Sequence, residues 1–263
     1  MKTLTYIALV LVISACNLQA IDHSSTSKPE TFTPYISLQD SLEIMAFCQL
    51  VQPDKSTSKT VGTVSKGSLK NGKLIPYFGS NYTYFYKESY LASRAYTSDK
   101  VMKIILKAYD ELKNDYPLRH FFLMELSNKN GGKMFPHKTH QNGLSVDFMM
   151  PKLKNNEPFY GLDTIGKDHY WLDFNDSGEQ RGDSSIKIDF ELMAHHILIL
   201  QKEAQKIGYQ INKVIVKIEY KDELLAGPKG QLLDKSGIYI VKKLTPVINN
   251  LHDEHFHIDF EKI

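Results

Sequence analysis

The chain has 263 residues, 42% of them hydrophobic, and a formal net charge of +2. That is enough for one sizeable domain, and the charge provides no strong field for a polyanion. No basic stripe is interleaved with aromatics, which excludes nucleic acid as a partner, and two cysteines exclude a disulfide-built scaffold.

In chain order, Lys2 precedes an apolar run from Leu4 to Ile13, followed by Ser14-Ala15-Cys16. This is the layout of a secretory signal, and the run is too short to span a bilayer as a mature helix. Ile13-Ser14-Ala15-Cys16 resembles the lipobox of bacterial lipoproteins, which implies cleavage before Cys16 and a lipid on its thiol. Cleavage of an ordinary signal after Ala20 is the alternative. Asn17 is not the aspartate associated with inner-membrane retention, so the expectation is a periplasmic protein anchored at the outer membrane. Residues 1–15 are then the signal, 16–35 a polar tether, and 36–263 a single domain.

Leu38–Val51 predicts a short helix capped by Ser37, with Cys48 in an apolar, buried stretch. Residues 61–90 alternate glycine turns with aromatic-rich strands such as Tyr82–Tyr86. Thr97-Ser98-Asp99 caps an amphipathic helix over Lys100–Asn114, apolar at Val101, Ile104, Ile105, Ala108 and Leu112. Phe121–Leu126 and Leu144–Met149 read as strands. Residues 152–186 predict a long irregular loop beside the cleft, with Trp171 as a substrate platform or a loop anchor. Phe190–Ile207 is a second helix; its His195-His196 pair reads as structural, as do His23 and His120. Lys213–Glu219 predicts a strand with Val214, Val216 and Ile218 on one face. Lys235-Ser-Gly supplies a turn before a last strand. Helices and strands do not alternate regularly, so the fold class is α+β, a small and mainly antiparallel sheet with flanking helices.

Five of the ten histidines fall into two clusters, His137-Lys-Thr-His140-Gln-Asn-Gly-Leu-Ser-Val-Asp147 and His252-Asp-Glu-His255-Phe-His257. Catalytic zinc usually takes three protein ligands and keeps one position open. His140, Asp147 and His257 supply two imidazoles and a carboxylate. Along a strand side chains alternate, so Ser145 and Asp147 share one face, and His255, His257 and Asp259 share another. Two neighbouring strands with the metal on their shared polar face are expected. His255 then sits just outside the ligand set, placed to accept a proton or to hydrogen-bond a developing oxyanion. His137 and His252 each precede a cluster histidine by three residues, as additional ligands, as partners that orient the ligands, or as substrate contacts. Asp259 is either such a partner or a solvated edge carboxylate.

At these residues the chain resembles the penicillin-insensitive murein endopeptidases, within the lysostaphin and D-Ala-D-Ala peptidase group of zinc peptidases. The group's H-x6-D and late H-x-H are met by His140, Asp147, His255 and His257. His137, His252, Gly131-Gly132 and the Gln141-x-Gly143-Leu144-x-Val146-Asp147 run add the endopeptidase branch. Val61-Gly-Thr-Val-Ser-Lys-Gly67 through Gly72 to Pro76, and Arg94-Ala-Tyr96, extend the likeness from about residue 60 to the end. Ser68 stands where relatives tend to have a cysteine, and Asp259 where they tend to have a basic residue. Asp168-His169 replaces a spaced Asp-x-x-His that can hold extra metal in relatives.

The resemblance implies a zinc endopeptidase, insensitive to penicillin, that cuts the D-alanyl to meso-diaminopimelyl crosslink of peptidoglycan. His255 is its catalytic residue, with Arg94, Tyr96, Gln141 and Trp171 as substrate contacts. A D-Ala-D-Ala carboxypeptidase and a non-catalytic wall-binding lipoprotein on the same fold are the alternatives. Ser25-Thr-Ser-Lys28 and Ser56-Thr-Ser-Lys59 lack the partner motifs of a serine penicillin-binding enzyme.

Overall fold

In the computed structural model, which describes residues 32–51 and 55–263, the first element is helix α1, Leu38–Val51. The expected signal, Cys16 and most of the tether lie outside the described residues. Ser37 Oγ accepts the Asp40 N–H at 3.0 Å and opens the helix. Ile44 is buried, and Lys87 reaches Asp40 and Glu43. These anchors sit in the first half of α1. Cys48, expected to be buried, lies beyond them and is exposed, its Sγ 3.7 Å from the Tyr90 hydroxyl.

A hairpin of β1 (Lys59–Thr63) and β2 (Lys66–Lys70) follows, then β3 (Lys73–Leu74) and β4 (Tyr82–Tyr84). Helix α2 (Lys87–Leu91) leads to β5 (Tyr96–Thr97), which pairs with β3. Helix α3 (Asp99–Asp115) buries the expected stripe from Val101 to Leu112, with Ser98 Oγ accepting the Val101 N–H at 3.1 Å. Strand β6 (Phe121–Leu123) is shorter than the expected Phe121–Leu126. Beyond Leu123, Met124 N–H donates to the Asp147 carbonyl while Asp147 N–H donates to the Glu125 carbonyl. Two residues thus oppose one, as in a β-bulge, and regular pairing ends.

Strand β7 (Ser145–Met149) comes next. Residues 152–186, expected to be irregular throughout, contain a hairpin of β8 (Lys152–Lys154) and β9 (Glu157–Phe159), and a 3-10 helix, Gly166–Trp171. Asn155 and Asn156, at φ 51° and 68°, form the two-residue turn between the strands. Asparagine tolerates that left-handed conformation, so the Asn-Asn pair was the overlooked signal. Strand β10 (Ile186–Ile188) completes this three-stranded sheet by pairing with β8.

Helix α4 (Phe190–Gln205) is followed by β11 (Tyr209–Ile215). The strand expected over Lys213–Glu219 therefore starts earlier and stops sooner. Its pairing ends at Ile215 opposite His257, and Ile218–Tyr220 coils into a 3-10 turn. Helices α5 (Lys221–Ala226), α6 (Pro228–Lys235) and α7 (Pro246–Asn250) precede β12 (His255–Lys262).

The main sheet has the order β11-β12-β7-β6-β4, antiparallel except for the β4–β6 pair. Its two central strands carry both histidine-cluster ends. One face of β7 and β12 presents Phe148 and Phe256, whose rings stack 5.3 Å apart. His196 of α4 and Tyr109 of α3 pack against Phe148 on that face. Burial of these large side chains against the two helices fixes which way the opposite, polar face points.

Candidate metal centre

Strands β7 and β12 run antiparallel with Asp147 directly opposite His257, and Ser145 opposite Asp259. Asp147 Oδ1 lies 2.7 Å from His257 Nδ1. His140 reaches the same point from the turn before β7. Its backbone is left-handed, φ 64°, and is held there by Ser127 Oγ, which donates to the His140 carbonyl at 2.6 Å. Its own N–H donates to Ser145 Oγ. Such a conformation in a non-glycine residue costs free energy and is often kept where a side chain must be aimed. Gly143, φ 76°, makes the turn itself; a Cβ there would meet Leu69 at 2.9 Å.

The ring nitrogens sort cleanly. His140 Nδ1–H donates to the Leu126 carbonyl, leaving Nε2 to face Asp147 Oδ2 at 3.2 Å and His257 Nδ1 at 3.0 Å. His257 Nε2–H donates to Asp259 Oδ1 at 2.8 Å, leaving Nδ1 for the centre. His137 Nε2–H donates to Glu125 Oε2 at 2.6 Å, and its Nδ1 lies 3.5 Å from Asp147 Oδ2. Behind each inward nitrogen, the opposite ring nitrogen is thus tied to an oxygen. Metal-binding histidines are ordinarily oriented in this way. His137, His140 and Asp147 offer ligand atoms within 4.8 Å of one another.

Asp259 is no solvated edge carboxylate. It is buried, accepts from Ser145 Oγ at 2.5 Å and pairs with Lys213 at 3.0 Å. Glu125, turned inward after the bulge, accepts from Ser89 Oγ at 2.7 Å and from Arg94 Nη2 at 2.6 Å. His255 lies one step along the polar face, its Nδ1–H donating to Glu254 Oε1 at 2.7 Å. His252 donates through Nδ1 to the Ile248 carbonyl, and its ring centroid is 4.9 Å from that of His255.

The electrostatics follow from burial set against charge. Burial alone would push the carboxyls up. His140 and His257 nevertheless hold Asp147 well below the usual carboxylate range, and His137 and Arg94 hold Glu125 down to about 2. Burial opposes charging of His257, yet Asp259 and Asp147 raise it to about 10; Glu254 raises His255 to about 9 in the same way. Four buried carboxylates thus surround the imidazoles and favour their charged forms, so His257 must give up a proton to serve as a metal ligand. Two imidazoles and a carboxylate, with a third imidazole in reach, are a donor set that fits zinc.

The residues singled out for substrate contact are dispersed. Arg94 is engaged by Glu125 and donates to the Phe135 carbonyl at 3.0 Å. Tyr96 is buried, and Gln141 is buried with its amide donating to the Lys138 carbonyl. Trp171 is 83% exposed, so it does not anchor its loop; the neighbouring His169 does, fully buried. Tyr170 brings this loop to the centre, its ring perpendicular to that of His255 at 6.3 Å. Sequence reasoning missed Glu125 and Glu254. The signal for Glu125 was an acidic residue inside an apolar strand-like run, and for Glu254 adjacency to His255.

Residues 60–261 match the family described as penicillin-insensitive murein endopeptidase. No curated protein matches the chain.

Proposed function

Because the chain belongs to the penicillin-insensitive murein endopeptidase family, we propose that it is a zinc-dependent endopeptidase that hydrolyses the D-alanyl to meso-diaminopimelyl crosslinks of peptidoglycan. We further place it in the lysostaphin and D-Ala-D-Ala peptidase group. The observation that carries the reading is the convergence of His140 Nε2, Asp147 and His257 Nδ1, each imidazole oriented by an acceptor behind it.

His140, Asp147 and His257 would hold the ion, with His137 Nδ1 beside Asp147 as a further donor. A zinc ion there supplies a Lewis acid for the scissile carbonyl. The protein's own groups do the rest. Glu254 fixes the Nδ1 proton of His255, which leaves Nε2 to hydrogen-bond the developing oxyanion or to exchange a proton with the attacking water. Glu125 and Asp259 hold His137 and His257 in register, and Arg94 and Lys213 balance their charge. No serine nucleophile takes part, so β-lactams have nothing to acylate.

The test is mass analysis of crosslinked muropeptide dimers incubated with zinc-loaded protein, with a His255→Ala variant and with a chelated sample. Conversion of dimers to monomers, lost in both controls, supports the proposal. Loss of terminal D-alanine alone would make the protein a carboxypeptidase. Intact substrate despite bound zinc would make it a binding protein.

A further inference from the structure

Helix α1 wears its polarity the wrong way round for a helix on a protein surface. Its only charges, Asp40 and Glu43, are drawn toward the protein, where both carboxylates pair with Lys87. They share that side with the buried Ile44 and with Phe47, whose ring packs edge-on against Tyr90. The opposite side carries Leu38, Leu42 and Met45, spaced i, i+4 and i+7 and therefore on one stripe. These three are 77%, 51% and 57% exposed. Gln49 continues the stripe one turn on, exposed and uncharged.

A single exposed leucine needs no explanation, but an aligned apolar stripe marks a surface that something covers. The place of α1 in the chain says what. It is the first described element, and the lipid expected on Cys16 lies about 20 residues before it. A chain of that length reaches at most about 70 Å. A lipid held in a bilayer therefore keeps α1 beside that bilayer, at an effective concentration that no untethered partner reaches.

We propose that the Leu38, Leu42 and Met45 face of α1 rests in the surface of a phospholipid bilayer, as a second contact beside the lipid on Cys16. The choice of a bilayer rests on that lipid. The three side chains enter the boundary between headgroups and acyl chains, about 5–10 Å deep. Lys87 holds Asp40 and Glu43 on the protein side, so no charge has to leave water. Three side chains are too few to keep the protein on a membrane by themselves, and a chain without the lipid still leaves the membrane fraction. Their effect is on orientation. One anchored point lets the domain turn freely, whereas a second one fixes which side of it faces away from the membrane.

The experiment uses the zinc-loaded chain from residue 16 onward with Cys16→Ser, which leaves Cys48 as the one thiol. A hexahistidine tag ahead of residue 16 holds it on vesicles of phosphatidylethanolamine and phosphatidylglycerol through a nickel-chelating lipid. The tag stands in for the lipid on Cys16, so the outcome does not depend on acylation in the cell. An environment-sensitive dye is placed on Cys48, which is exposed on α1. On vesicles the dye emission should shift to the blue and be quenched by lipids brominated on their acyl chains. Leu42→Ser with Met45→Ser should lose both signals while the protein stays tethered, melts as before and keeps its zinc. Leu38→Gln alone should weaken both signals, and it decides the matter should the double variant fail to fold. No shift in the parent chain, or an equal shift in the variants, would overturn the proposal. So would a dye shift without vesicles that rises with protein concentration and is lost in the double variant, because the face would then belong to a second copy of the chain.

Discussion

Replacing Asp259 by alanine probes the metal centre without touching a proposed ligand. Three groups lose their partner at once: the His257 Nε2–H, the Ser145 hydroxyl and the Lys213 ammonium. With Nε2 no longer fixed, His257 can carry its proton on Nδ1 instead, which removes the lone pair that faces Asp147 and His140. Loss of such an orienting partner typically lowers metal affinity by about 10- to 100-fold, or about 1.4–2.7 kcal/mol. The buried hydroxyl and imidazole left unsatisfied add about 1–3 kcal/mol of lost folding stability. Lys213 is 28% exposed at its side chain and can turn to water, so it adds little. The assay is zinc titration against a chromophoric chelator, with urea denaturation of the metal-free protein alongside. Asp259→Asn keeps an acceptor oxygen and should fall between wild type and alanine. Wild-type zinc affinity in Asp259→Ala would refute the reasoning, because His257 would then need nothing behind it.

Acid should destabilise the protein through His196, which burial holds down to about 3. Below the unfolded value of about 6.5, the unfolded chain takes up a proton that the folded chain refuses. Stability therefore falls as the pH drops from 6.5 toward 3, by up to about 1.4 kcal/mol per pH unit. His196→Leu should remove one proton from that slope, read by denaturation at several pH values; an unchanged slope would mean that the ring is protonated in the fold. Gly131→Ala places a Cβ 2.2 Å from the Gln141 carbonyl at φ 67° and should cost about 2 kcal/mol or more. A melting temperature equal to wild type would show that the turn can relax. Cys16→Ser should release the protein from the membrane fraction; continued membrane attachment would rule out a lipid on that thiol.

Elements whose logic is local were legible from residues alone. The stripe from Val101 to Leu112 with its Ser98 cap, and the alternation of histidines with Phe256, Ile258 and Phe260, each state their own geometry. The convergence of His140, Asp147 and His257 could be drawn because both clusters sit on strands that must bury their apolar faces. What failed to show depends on contacts distant in sequence. Glu125 enters the centre only because a bulge against Asp147 turns it inward. Asp259 is buried because Lys213, on the neighbouring strand, meets it. The end of β11 was misplaced because hydrophobic alternation continues to Ile218 while its pairing with β12 stops at Ile215. Cys48 sits in an apolar run, yet α1 turns Ile44 and Phe47 toward the core and leaves Cys48 exposed.

The two-sidedness of β7 and β12 has a consequence for how substitutions would sort in the cell. Alternate residues form the polar centre: Ser145, Asp147, His255, His257 and Asp259. The residues between them, Val146, Phe148, Phe256, Ile258 and Phe260, face the helices and are buried just as fully. Conservation of either set would look the same in an alignment of sequences. A saturation screen that reads protein abundance separately from wall cleavage would pull them apart into two interleaved combs. Positions 147, 255 and 257 would lose activity while the protein accumulates, and positions 146, 148, 256, 258 and 260 would lose the protein itself.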